Sequence, residues 1–478
     1  MKKFISIILA VLMTLSLCAC TGSGETAKEP EATFRVGYAR EDITPSDGVP
    51  LGGYGDTLKR ISTGYLDYLF ATCIAVTDAQ DNTVLLFSQD LIASTYYKEV
   101  RSNVSQATGI AEDNIMLCAT HTHSGPDQKQ SHSGITSWKT TYLAAVVKAA
   151  QAALEDRSAA EISIGRTQAE GLNFVRHYLQ EGGTYVGDNF GSESAGKIIA
   201  HAEENDPEMQ VIKFTRAAED KKDIIIASFP AHATTVNSTN RTSLSACYPG
   251  AFRAAVERDA GVHCAFFQGA SGDQVPNSKI EEKNAINPKN HKNHGEKLAE
   301  YALSVELTPM EDSKLVFKSW EYTGPSMKEG LDDAELMAHA SEIASLSNKL
   351  GSSHIDVQAL VSKYGFLTVY EATGLVSRSK APETRTMRLV AMQLGSEVSM
   401  AFAPYEMFGM HGKYIKDNSP FAMDFIVTCT EDYQGYFPHV EGCEEGFYEY
   451  DVTKYERGTG EKLAELFAST LTEMKNAG

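Results

Sequence analysis

The sequence has no C-x-x-C pair among its eight cysteines. That argues against a thiolate zinc site or a thioredoxin-like redox motif. It has no excess of positive charge either. Lys and Arg number 43 against 63 Asp and Glu, a formal net charge of -20, which argues against a footprint for nucleic-acid phosphates. No nucleic-acid partner is expected. Beyond Ala19 no apolar run is long enough to cross a bilayer. There is no internal repeat, and no Pro- or Gly-rich linker interrupts Phe34–Gly478. That stretch therefore reads as one continuous domain, and a hydrophobic content of 42% suffices for a sizeable core.

What is present begins at the N-terminus. Lys2 and Lys3 precede an apolar run from Phe4 to about Ala19, the pattern of a signal peptide. Leu17-Cys18-Ala19-Cys20 resembles a bacterial lipobox, which implies cleavage before Cys20 and a lipid on that cysteine. The expectation is a signal peptide over 1–20, a polar tether over 21–33, and an extracytoplasmic protein anchored to the bacterial cell membrane through Cys20. An ordinary secretory signal is the alternative. Six cysteines then remain, several in apolar strand-like runs where they act as small hydrophobes. Cys429 and Cys443 could form a disulfide in that compartment.

Strand-like runs (Leu69–Val76, Thr83–Leu91, Ile115–Ala119, Met209–Phe214, Asp223–Phe229, Val262–Phe267) alternate with helical patterns (Thr140–Glu155, Pro249–Asp259, His294–Ser304). A helix pair over Asp332–Tyr364, strands across Thr386–Ala403 and a closing helix near Gly460–Met474 follow. The fold class is α/β, with mixed β-sheets and flanking helices in a single large domain.

Three strand exits carry candidate ligands. Ile115–Ala119 runs into Thr120-His121-Thr122-His123-Ser124-Gly125-Pro126, and the period of two puts His121 and His123 on one side. Asp223–Phe229 runs into Pro230-Ala231-His232. Met400-Ala-Phe-Ala-Pro-Tyr-Glu406 places a carboxylate after a strand, at what reads as the first turn of a helix. Two imidazole sites and a carboxylate would suit zinc or a similar ion with a position left for water. A fourth segment, Phe266-Phe-Gln-Gly-Ala-Ser-Gly-Asp-Gln-Val-Pro-Asn277, reads as a tight turn or as a substrate-facing loop with open backbone N–H groups.

Taken in order, VGYAREDITP, ATHTHSGP, FPAHATTV, FFQGASGDQVPN, APYEMFG and YQGYFPHVEGCEEGFYE resemble the catalytic N-terminal domain of the neutral/alkaline non-lysosomal ceramidase family over about residues 34–450. The resemblance implies one zinc ion held by His121, His232, Glu406 and Tyr436. Tyr433 stands close by, but the family has a second active-site tyrosine twelve positions after the ligand, and Tyr448 meets that spacing from Tyr436. It also implies catalytic roles for His123, Arg176 and Tyr448, and substrate contacts at Asp273, Gln274 and Asn277. Val275 stands where the family's loop carries a serine, and the chain stops where the family's ceramidases continue into a β-sandwich domain.

The function expected is a zinc-dependent amidohydrolase that cleaves the N-acyl amide of a sphingolipid or related small-molecule or lipid amide. The alternatives are a hydrolase of the same fold acting on another amide or ester, and a non-catalytic ligand-binding surface lipoprotein.

Overall fold

In a computed structural model, the residues described are 34–54, 60–187, 197–236, 240–276, 291–440 and 447–477. The signal peptide, Cys20, the tether, Asn277 and Cys443 lie outside them. The core is built on two sheets. The larger one runs in the order His263–Gln268, Ile224–Phe229, Glu208–Arg216, Ser158–Gln168, Phe34–Asp42, Phe70–Thr77, Thr83–Gln89, Ile115–Ala119, with Thr308–Met310 also on Ser158–Gln168. The smaller one runs Leu315–Pro325, Thr384–Leu394, Val398–Phe402, Met423–Val427. Both mix parallel and antiparallel pairs: Ile224–Phe229 lies parallel to His263–Gln268, Thr83–Gln89 to Ile115–Ala119, and Val398–Phe402 to Met423–Val427.

The strands are apolar on both faces because both faces are covered. Ile74, Val76, Leu86 and Met116 point inward, against Val390, Met400 and Phe425 of the smaller sheet. Their neighbours Cys73, Ala75, Leu85 and Leu117 point outward to helices Tyr97–Thr108 and Ser133–Glu155. Phe229 and Phe266 do the same towards Cys247–Ala260 and His291–Leu303. On the far side, Gly409–Asn418 and Thr459–Ala477 cover the smaller sheet. The layers are helix, sheet, sheet, helix, and the period-two alternation of the strands makes them.

Three local expectations change. Helix Ser133–Glu155 starts seven residues before Thr140, because the His132 side chain accepts from Gly134 N and starts it there. The expected pair over 332–364 is followed by a third helix, Val369–Ser379. Together the three make a small core of their own around Ile343, Val357 and Leu375. Glu406 is not in a helix. It opens the two-residue strand Glu406–Met407, paired in parallel with Tyr436–Phe437, and the helix begins only at Gly409.

The larger sheet curls until its edge strands, Ile115–Ala119 and His263–Gln268, come into contact. The chain leaving Met423–Val427 is stitched to both. Thr428 N donates to Gln268 O at 2.9 Å, Ala119 N to Cys429 O at 3.2 Å, and Glu431 N to Leu117 O at 2.9 Å. The exits of strands from both sheets thus meet at one place.

Leu86 is buried between the two sheets. Leu86→Ala should lower stability by about 2–5 kcal/mol, read as a shift in the urea midpoint. A loss under about 1 kcal/mol, the scale of an ordinary surface change, would show that the sheets do not share this core.

Candidate active site

The exits of Ile115–Ala119, Ile224–Phe229 and Val398–Phe402 carry His121, His232 and Glu406. All three side chains are buried. His121 Nδ1 lies 2.9 Å from the Ile92 carbonyl, and His232 Nδ1 lies 2.6 Å from that of Ser271. A carbonyl only accepts, so each Nδ1 carries the proton and each Nε2 presents a lone pair. Both lone pairs face the same oxygen. Glu406 Oε2 is 3.2 Å from His121 Nε2 and 3.0 Å from His232 Nε2. The other carboxylate oxygen accepts from the Tyr433 hydroxyl. The Tyr436 hydroxyl lies 3.3 Å from His232 Nε2.

This donor set fits a metal ion. A tetrahedral ion with bonds of about 2.0–2.1 Å keeps its ligand atoms roughly 3.3–3.4 Å apart, close to the separations found. His121 Nε2 and Glu406 Oε2 have no well-aligned hydrogen-bond partner although both are buried, the state expected of ligand atoms waiting on a cation. His123 adds a third imidazole, and the ligand atoms of His121, His123 and His232 all lie within 4.8 Å of one another. Among the described residues, neither His123 ring nitrogen has a partner.

The charges of Glu406, His123 and His232 agree with a cation site, whereas His121 leans towards a proton that a bound cation would displace. Burial pushes the Glu406 carboxyl up, but His121 and His232 outweigh it and hold it well below the usual range. Burial, then His121 and His232, pushes His123 well down, which leaves that ring neutral. Burial lowers His232 as well. For His121, burial is outweighed by Cys429 and Glu406, and its pKa rises.

His121, His123 and Glu406 line a cavity of about 230 Å³ together with Gly53, Tyr54, Ile92, Asp127, Lys129, Tyr433, Tyr436 and Tyr448, while His232 is not on its wall and packs against the rings of His121 and Tyr436. Tyr448 packs edge-on to Tyr436 at 5.7 Å. Gly53 has φ +95°, and a Cβ there would lie 2.4 Å from the His123 ring. Only glycine lets the two segments close on each other. His121 itself sits at φ 61°, a conformation that costs a non-glycine residue about 1–3 kcal/mol and is typical of functional positions.

The other expected residues fall behind this wall. Arg176 is buried, pairs with Glu449, donates from Nη2 to Gly272 O at 2.8 Å and lies over the Tyr436 ring at 5.4 Å. Its guanidinium therefore braces Tyr436 from outside the cavity. Asp273 Oδ1 accepts from Gly409 N at 2.7 Å. Gln274 Oε1 accepts from Asn173 Nδ2 and Asp206 N, both at 2.9 Å, and its Nε2 donates to Ala270 O. Neither side chain reaches the cavity. The backbone of this loop is engaged too. Gly272 N donates to Met407 O, Gln274 N to Ser271 O, and Gln274 O accepts from His232 N. The loop is a bracket for His232 and Glu406, with none of these N–H groups open to a ligand. Gly272 is required there, since a Cβ would stand 2.6 Å from Glu406 O. Val275 is buried in a two-residue strand against Phe174. Cys429 is a buried thiol 3.3 Å from His121 Nδ1.

Sequence reasoning did not single out Gly53, Tyr54, Asp127, Lys129 or Glu449. The Gly52-Gly53 pair a few residues after DITP is a turn signal, but no local pattern says what the turn will touch. Asp127 and Lys129 follow directly on THSGP. Glu449 stood in view as the neighbour of Tyr448, and its partner His177 as the neighbour of Arg176.

The family model described as "Neutral/alkaline non-lysosomal ceramidase, N-terminal" matches residues 34–313. Two solved structures share the fold. One is a crystal structure of neutral ceramidase from Pseudomonas aeruginosa, with TM-score 0.68, 17% sequence identity, and coverage of 94% of this chain and 75% of that chain. The other is described as a ceramidase complexed with C2, with TM-score 0.69, 17% identity, and coverage of 94% and 76%. No curated protein matches.

The bracing pair gives a testable pH dependence. Burial pushes Glu449 up, but Arg176 and then His177 outweigh it and hold the carboxyl at about 2 against an ordinary 4.5. A depressed carboxyl adds stability that is present above its unfolded pKa and is lost as the pH falls towards its folded one. Glu449→Gln leaves Arg176 buried without its partner and should cost about 3–5 kcal/mol near neutral pH. In urea titrations the gap between wild type and E449Q should shrink as the pH drops from about 5 towards 2. A gap independent of pH would remove the ion pair from this account.

Proposed function

From its membership of the neutral/alkaline non-lysosomal ceramidase family, we propose that this chain is a zinc-dependent amidohydrolase acting on an N-acyl amide of the ceramide type. The observation that carries the reading is the convergence of two tautomer-fixed imidazoles on one oxygen of Glu406. Zinc would be held by His121, His232, Glu406 and Tyr436. When bound, such an ion supplies a Lewis acid for the amide carbonyl and lowers the pKa of a coordinated water to about 7.

The remaining chemistry belongs to the chain. His123 is buried, neutral and without a hydrogen-bond partner, so it can take a proton from the attacking water and return it to the leaving amine. Tyr448 presents its ring on the cavity wall and would donate to the oxygen that gains charge. Arg176 acts through Tyr436, which it holds from behind. A loop serine is not needed on this route, so Val275 is compatible with it. The lipobox-like Leu17–Cys20 supports an extracytoplasmic, lipid-anchored location on the bacterial membrane.

The second reading is a hydrolase of the same fold that cleaves a non-ceramide amide or ester. Val275 favours it, as do Asp127 and Lys129 on the wall of a cavity of about 230 Å³.

Purified protein that starts after Cys20 should carry about one zinc per chain by mass spectrometry, the stoichiometry of one closed ligand set. His232→Ala and Glu406→Gln should lose metal and activity together. His123→Ala should keep the metal while turnover falls by about 10²–10⁴-fold. Full turnover in H123A would sink its proton-transfer role, and an experimental structure with the ion on His123 would overturn the ligand set. Turnover of ceramide supports the first reading, whereas turnover confined to non-lipid amides or esters supports the second. No bound metal after zinc is supplied would defeat both.

A further inference from the structure

A second cavity, of about 180 Å³, lies between helix Val369–Ser379, the start of strand Thr384–Leu394 and the segment that follows helix Tyr448–Val452. It shares no lining residue with the cavity above. Three cations line it: Arg378, Arg385 and Lys454. Arg378 is only 9% exposed. Its Nη2 donates to the carbonyls of Tyr450 and Asp451 at 2.7 and 3.2 Å, while its buried Nε has no partner. The Arg385 Nε is likewise buried and unpartnered. Among the described residues, Lys454 Nζ makes one hydrogen bond, to Tyr433 O at 3.3 Å.

Among the described residues none of the three cations forms an ion pair, although Arg378 is buried, Arg385 and Lys454 are partly so, and charges taken from water are normally paired. Asp451 is the acid on the wall, and its Oδ2 accepts from Thr368 Oγ1 at 3.3 Å. Burial, then Glu371, pushes its carboxyl up to about 7, so it supplies less than a full counter-charge near neutrality. Glu329, which Arg378 also feels, is held by Tyr450 and Arg457. Crowding is visible at Lys454, which burial, then Lys129 and Arg385, lowers to about 8. The hydroxyl residues Thr373 and Ser377 complete the wall.

We propose that this cavity is a binding site for a phosphate group, held by Arg378, Arg385 and Lys454. Several N–H donors set around one volume suit the divergent oxygens of a phosphate, and charge-assisted bonds to it would satisfy the orphaned guanidinium atoms. The site backs onto the first cavity, because Lys454 also holds the carbonyl of Tyr433 and Thr453 Oγ1 that of Tyr436 at 2.9 Å. Phosphate there braces the chain behind both tyrosines.

The test needs no substrate. The full chain is titrated with inorganic phosphate and with glycerol phosphate, at ionic strength matched by sodium chloride, and followed by thermal shift and calorimetry. Phosphate should raise Tm above the chloride control. Arg385→Gln should weaken the apparent affinity by about tenfold or more, the loss expected for one charged hydrogen-bond partner. Lys454→Gln repeats the test if R385Q does not fold. Tighter binding of glycerol phosphate identifies an esterified phosphate as the ligand, and tighter binding of inorganic phosphate identifies the free anion. No rise beyond chloride, or a rise unchanged in both variants, overturns the site.

Discussion

The Glu406 carboxylate is the group on which the rest depends. A charge with 1% exposure is tolerated only when its oxygens are met, because the cost of desolvating an ion is several kcal/mol. Here one oxygen takes the Tyr433 hydroxyl, and the other faces two imidazole nitrogens across the space that a cation would fill. Each imidazole is fixed in turn by a backbone carbonyl. The chain therefore has to deliver four separate segments to one point, within a few tenths of an ångström, for the carboxylate to remain charged. Such networks are stable when complete and costly when a member is missing.

The fold makes that delivery by curling one sheet until its edges touch and sealing the gap with a strand exit from the other. The loop 269–275 then works as the clamp. It accepts from His232 through Ser271 and Gln274, holds Met407 through Gly272 and receives Arg176 at Gly272 and Asp273. The Asp273 and Gln274 side chains are consumed by architecture, which is why they face away from the cavity. The same economy places Arg176 behind Tyr436. Left-handed backbone at His121, Cys429 and Glu431 lies where these segments cross, and local strain at such crossings is offset by the packing around them.

Much of this was legible in the sequence. Six apolar runs of strand length marked strands of the larger sheet to within about two residues, and Thr386–Ala403 covered two strands of the smaller, whereas Phe34–Asp42, Ser158–Gln168, Leu315–Pro325 and Met423–Val427 went unmarked because polar residues interrupt them or no expected helix sets them off. Short polar exits from three of them carried His121, His232 and Glu406. The helix start at Ser133 escaped notice because a histidine cap is an uncommon signal. Glu406 read as helical because Pro404 and the Gly409 helix bracket it, whereas pairing with Tyr436–Phe437 is a contact that no local pattern reports.

The sequence by itself determined the residue types and the strand ends that bear them, since periodicity and turn chemistry are local properties. It also carried the motif order that links this chain to its family. Only the tertiary structure decided which polar groups face the cavity and which hold the wall. Asp273 and Gln274 look like binding residues in one dimension, and Gly53 and Lys129 like loop filler. Their roles follow from which segments the curled sheet brings within bonding distance, and distance between remote segments is not encoded in local sequence.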